Sequence, residues 1–94
     1  MAQTKRFTGR ARRIVQECDG SIGYYYHDTA VATVYPNGSV ILNSGGWRTV
    51  TTRTAINQAG NQSGLGFRVY QKNYAWFVTY RGATVPFRDY INLK

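Results

Sequence analysis

The sequence predicts an α+β fold: a small antiparallel sheet of two hairpins with one short helix packed on it, and a basic N-terminal arm in front. Three observations carry that expectation. Two stretches rich in β-branched and aromatic residues, 29–43 and 67–80, each fold back across a turn. Between them, 49–59 spaces its apolar residues as a helix does. The first thirteen residues hold five of the 12 basic residues and no acid. A chain of 94 residues suits one domain. The expected division is therefore a flexible basic arm, 1–13, and a single domain, 14–94.

The elements follow in order. Lys5, Arg6, Arg10, Arg12 and Arg13 lie in a stretch with little apolar content, and polar charged termini commonly stay unordered. Residues 14–17 read as a candidate strand, and the tyrosine run makes Ile22 to Tyr26 another. Thr29 to Tyr35 and Val40 to Asn43 read as a hairpin across Pro36-Asn37-Gly38-Ser39. Pro36 presets φ at the first turn position and Gly38 accepts positive φ, the chemistry of a type I turn closed by a glycine bulge. Apolar residues on both faces of this pair (Val31, Leu42; Ala32, Val34, Ile41) predict that it is well covered.

Gly45-Gly46 then breaks the sheet, and Trp47-Arg48 follows. The helix is expected over Thr49 to Ala59, with Thr51 as N-cap and Val50 and Ala55 as a weak hydrophobic staple. Ala55, Ile56 and Ala59 form its apolar face, and Gly60 reads as its stop. Its threonines are poor helix formers, so packing must hold it. Asn61 to Gly64 reads as a loop. The second hairpin pairs Phe67 to Lys72 with Ala75 to Tyr80 and turns near Asn73. Phe67 and Val69 face one way; Arg68, Tyr70 and Lys72 face the other. After the Arg81-Gly82 turn, Thr84 to Phe87 reads as an edge strand, since Pro86 lacks a ladder donor.

Composition narrows the function classes. Twelve Lys+Arg against 4 Asp+Glu leave a net charge of +8, which favours anionic partners. The single cysteine, Cys18, has no internal disulfide partner and suits a reducing compartment. No apolar run follows the basic N-terminus, so no secretory signal is expected, and no stretch approaches a membrane span. A soluble cytosolic protein is the expectation. Catalysis lacks parts. His27 and Asp28 are adjacent and, on a strand, would face opposite ways. Nothing orders Glu17, Cys18 and Asp19 as nucleophile and base. Cys18 and His27 are too few for a four-ligand zinc site. No enzyme activity, catalytic residue, metal or cofactor is expected.

Three motifs carry competing readings. Gly64, Gly66, Phe67 and Tyr70 match half of an RNA-recognition RNP1 pattern. Ser63, Leu65 and Arg68 depart from it, and that fold needs two helices, so a turn entering a strand is the better reading. Gly45-Gly46 lacks a P-loop's Gly-Lys-Thr, but the helix N-terminus with Arg48, Thr49, Thr51, Thr52 and Arg53 resembles an anion cradle. The competing reading is plain capping, with Trp47 folded under the sheet. Basic and aromatic residues interleave at Arg68, Tyr70, Lys72, Tyr74 and Tyr80-Arg81, as in surfaces that stack on bases and neutralise phosphates. The same tyrosines are ordinary sheet residues. Trp47 and Trp76 read as core.

The segments Tyr26 to Thr29, Pro36 to Thr52, Ile56-Asn57, Phe67 to Gln71 and Trp76 to Val78 resemble a group of small tailed-bacteriophage proteins of uncharacterised function. The resemblance spans about 24–88, and Leu42-Asn-Ser-Gly-Gly-Trp-Arg-Thr-Val-Thr-Thr52 is its most specific part. It implies a phage product acting in the cytoplasm of a bacterial host. The leading expectation is a phage accessory protein binding DNA or RNA mainly through phosphates. Lys5, Arg6, Arg10, Arg12 and Arg13 would attract at long range. Arg48, Arg53, Arg68 and Lys72 would add phosphate contacts, and Tyr70 and Tyr74 stacking platforms, with little base specificity. The alternative is an anti-CRISPR-like inhibitor docking on an acidic host or defence complex through Gly45, Gly46, Trp47 and Arg48.

Overall fold

A computed structural model describes residues 11–46 and 48–93. The expectations for Lys5, Arg6, Arg10 and Trp47 lie outside the described residues. Among the described residues, eight strands and one helix run in the order β1 (Arg12–Gln16), β2 (Ile22–Tyr26), β3 (Thr29–Val34), β4 (Val40–Leu42), α1 (Val50–Ser63), β5 (Arg68–Lys72), β6 (Ala75–Tyr80), β7 (Ala83–Pro86) and β8 (Ile91–Leu93). The fold is α+β with a single helix among the described residues, as expected. The single small sheet is corrected to two antiparallel sheets, β1-β2-β3-β4-β8 and β5-β6-β7. Among the described residues, one core of sixteen buried hydrophobic residues joins the helix to both sheets, with Leu42, Ile56, Phe67, Val69 and Val78 fully enclosed.

Local chemistry explains most elements. Gly38, at φ +90°, donates its N–H to the Tyr35 carbonyl (3.0 Å), and the Tyr35 N–H reaches the Ser39 carbonyl (2.9 Å), which is the predicted bulged turn. A bulge opposite Tyr24 and Tyr25 turns both Val31 and Ala32 into the core. Residues 12 and 13 belong to a strand, not to the arm. β1 ladders onto β2, and the Arg12 and Arg13 guanidinium groups lie 4.8 and 4.7 Å from the rings of Tyr26 and Tyr25. His27 and Asp28 are not on a strand either: they form the turn between β2 and β3, with His27 at φ +57°.

The helix differs from expectation at both ends. Thr49, not Thr51, is the N-cap: its backbone is extended and its hydroxyl accepts the Thr52 N–H at 3.3 Å. Val50 is 65% exposed, so no staple forms with Ala55. Gly60 does not stop the helix, which continues through Asn61–Ser63 to a left-handed Gly64 cap. Gly60 is there for close approach: a Cβ would run into the Phe67 carbonyl oxygen, where the chain enters β5. Ala55, Ile56 and Ala59 are buried as predicted.

Candidate nucleic-acid interface

β5 is built so that one side is core and the other is chemistry. Val69 is buried with Phe67, while Arg68, Tyr70 and Lys72 alternate onto the open face. The register with β6 sets Thr79 beside Arg68, Phe77 beside Tyr70 and Ala75 beside Lys72. β7 extends two of these rows, adding Thr84 to Thr79 and Pro86 to Phe77. Tyr70 and Phe77 stack with ring centroids 5.8 Å apart and planes 27° from parallel. The Thr79 and Thr84 hydroxyls share a 3.2 Å hydrogen bond. Tyr74 stands at the hairpin tip, 97% exposed.

The outer edge of β5 is held from the helix. The Asn57 side chain accepts the Val69 N–H (2.7 Å) and donates to the Val69 carbonyl (3.2 Å), as a neighbouring strand would. Edge groups that otherwise need water or a partner are thereby paired, and the strand is fixed beneath its cations. The four acids lie elsewhere. Glu17, Asp19 and Asp28 fall in the connections flanking β2, and Asp89 between β7 and β8. No acid occurs between Thr29 and Arg88.

The remaining candidates sit in other places. Arg12 and Arg13 are stacked on tyrosines of the larger sheet. Arg48 and Arg53 both turn toward Trp76, with guanidinium carbons 5.2 and 5.7 Å from its ring. Arg48 also lies 5.0 Å from the Phe87 ring, donates from Nε to the Ser44 hydroxyl (3.1 Å) and approaches the Asp89 carboxylate at 3.7 Å. Its bonds are those of a clamp between the segment before α1 and the segment after β7. Asp89 anchors the clamp by accepting from the Ser44 hydroxyl (2.6 Å) and N–H (3.0 Å). Burial works against its charge, but the Ser44 bonds, the Arg48 cation and the Gly46 amide together hold its carboxyl below the ordinary value. Gly45 and Gly46 are exposed with φ of +66° and +84°.

The helix N-terminus opens onto a cleft of about 420 Å³ lined in part by Tyr26, His27, Asp28 and Thr29. Its threonine hydroxyls bond to one another: Thr49 to Thr51 at 3.1 Å and to Thr52 at 3.0 Å. With Arg48 and Arg53 turned to Trp76 and Asp28 at the cleft wall, the capping reading fits these hydroxyls better than the anion cradle. No group of three or more His, Cys, Asp or Glu able to hold a metal occurs among the described residues. No helix among them is long and apolar enough to cross a membrane.

Sequence reasoning brought Arg68, Tyr70 and Lys72 together correctly and missed Phe77, Thr79, Thr84 and Asn57. The first three were within reach. A two-residue turn at Asn73-Tyr74 dictates the pairing of Tyr70 with Phe77 and of Arg68 with Thr79. Asn57 gave no local signal, because its partner lies twelve residues away on another element.

No curated protein and no solved structure matches the chain significantly. A family model does, over residues 1–94, which takes in the basic N-terminal stretch and extends beyond the 24–88 of the resemblance. The chain belongs to a phage protein family, the Kyanoviridae Gp96 proteins.

Proposed function

We propose that this phage protein binds nucleic acid in the cytoplasm of the bacterial host, mainly through phosphates and without catalysing a reaction on it. The carrying observation is the open face of β5-β6-β7, where Arg68 and Lys72 flank a Tyr70–Phe77 stack and no acid competes. Cations spaced along a strand attract a polyanion and release its counterions, and aromatic rings between them offer stacking surface. Lys5, Arg6 and Arg10 add charge in sequence, and Arg12 and Arg13 contribute from the larger sheet. Little base specificity is expected, since phosphate contacts position a nucleic acid without reading it.

The test is a titration of labelled DNA and RNA with the full chain at low and at physiological salt. Affinity that falls steeply with salt supports the reading. Absence of binding at low salt, or binding indifferent to salt, contradicts it. A second reading, an inhibitor docking on an acidic host or defence complex, draws on the exposed Gly45-Gly46 turn beside Arg48. A host partner retained in a pull-down after nuclease treatment would favour it; loss of the partner with the nucleic acid would remove it.

A further inference from the structure

The tip of the β5–β6 hairpin holds an unexplained strain. Asn73 and Tyr74 both take left-handed backbone, φ +52° and +68°, as a two-residue hairpin turn of type I′ requires. Glycine suits the second of these positions, and a bulky aromatic there is an outlier. Strain of this kind persists where something else compensates. Packing within the chain does not: Tyr74 is 97% exposed. Its ring stands in solvent at the hairpin tip, two residues past Lys72.

The middle of that face is a row of rings, Tyr70, Phe77 and Pro86, crossing the three strands. Arg68 and Lys72 lie on either side of Tyr70, each roughly 7 Å along the strand. The two cations thus stand roughly 14 Å apart, with the Tyr70 ring between them. A duplex suits the face poorly. Its base faces are covered by their neighbours, and a sheet in the major groove reads base edges with polar side chains. The central row here has only the Tyr70 hydroxyl to offer base edges.

We propose, resting on the nucleic-acid reading above, that the ligand of this face is a single strand. Tyr74 stacks on an unpaired base at the hairpin tip, and Tyr70, backed by Phe77, stacks on another. Arg68 and Lys72 hold phosphates on either side of Tyr70. Every base has a ring face, so such binding tolerates sequence.

The experiment compares labelled oligothymidylate with a labelled duplex, both at low salt, against the full chain and its variants. Tyr74→Gly suits the turn better than the parent, so its melting temperature is expected at or above the parent's. Its affinity for the single strand is expected to fall roughly five- to a hundredfold, the usual range for losing one stacked base, with duplex affinity unchanged. Tyr70→Leu keeps apolar bulk against Phe77 and is expected to act in the same direction. Arg68→Ala is expected to weaken both probes. Two results overturn the single-strand inference while leaving phosphate binding in place: a duplex bound as tightly as the single strand, or Tyr74→Gly without effect while Arg68→Ala weakens both. Failure of both probes to bind at low salt removes the nucleic-acid reading and this inference with it.

Discussion

Ser44, Arg48 and Asp89 show how a residue's partners decide its role. Ser44 is 1% exposed, and its hydroxyl and N–H both donate to one Asp89 oxygen. Hydrogen bonds to a charged acceptor are worth about 1 kcal/mol more than neutral ones, so Asp89→Asn is expected to cost about 1 kcal/mol at neutral pH. The Arg48 contact adds little, because that pair is 3.7 Å long and partly open to solvent. The pH dependence has a definite sign. Asp89 has its carboxyl lowered from 3.8 in the fold, so the unfolded chain binds more protons in acid. Its contribution is fully present above the ordinary carboxylate value and is lost as pH falls through the lowered one. Denaturant titrations across this range should show parent and Asp89→Asn converging in acid. A constant difference would mean that the carboxylate charge is not what stabilises the clamp. In sequence, Arg48 reads as a basic residue beside a glycine turn. That Asp89 would occupy it could not be read there, because the two are joined only by the meeting of separate elements.

Elements were legible where their signals were local. The β3–β4 turn, the β5–β6 pairing and the β2 strand carry their own turn residues or alternation, and the structure matches them. β8 was missed because Ile91-Asn92-Leu93 is too short to show a period and pairs only with the distant β4. It extends the larger sheet beside β4. The end of α1 was misread because glycine has two uses. Gly60 reads as a stop, but its need is space for the Phe67 carbonyl, and the left-handed cap falls to Gly64. Gly60→Ala decides between these uses. Helix propensity alone favours Ala by about 1 kcal/mol, whereas an inserted methyl in a packed interior costs about 1–3 kcal/mol. Because the obstruction is backbone, overpacking should win, and Tm should fall by several degrees. A raised Tm would show that the helix can shift away from β5 at little cost. On the candidate site, the Arg68, Tyr70 and Lys72 alternation was legible. The Asn57 brace that fixes the strand was not, since a side chain standing in for a strand leaves no periodic trace.

Across the whole molecule, charge is segregated. The four acids fall outside the long run from Thr29 to Arg88, which carries Arg48, Arg53, Arg68, Lys72, Arg81 and Arg88. Net charge alone says only that anions are attracted. The fold separates these cations by neighbours: Arg48 clamps Asp89, Arg53 turns to Trp76, and Arg68 and Lys72 flank rings on an acid-free face. Equal charges at different places should therefore count differently toward a polyanion. The most direct measurement is the salt dependence of single-strand affinity for the parent, for Arg68→Ala/Lys72→Ala and for Arg48→Gln. Each phosphate contact contributes about 0.7 to the logarithmic slope on a single strand. The expected result is a slope reduced by about 1.4 in the double variant and unchanged in Arg48→Gln. Equal reductions per charge removed, wherever the charge stood, would contradict the assignment of binding to the β5-β6-β7 face.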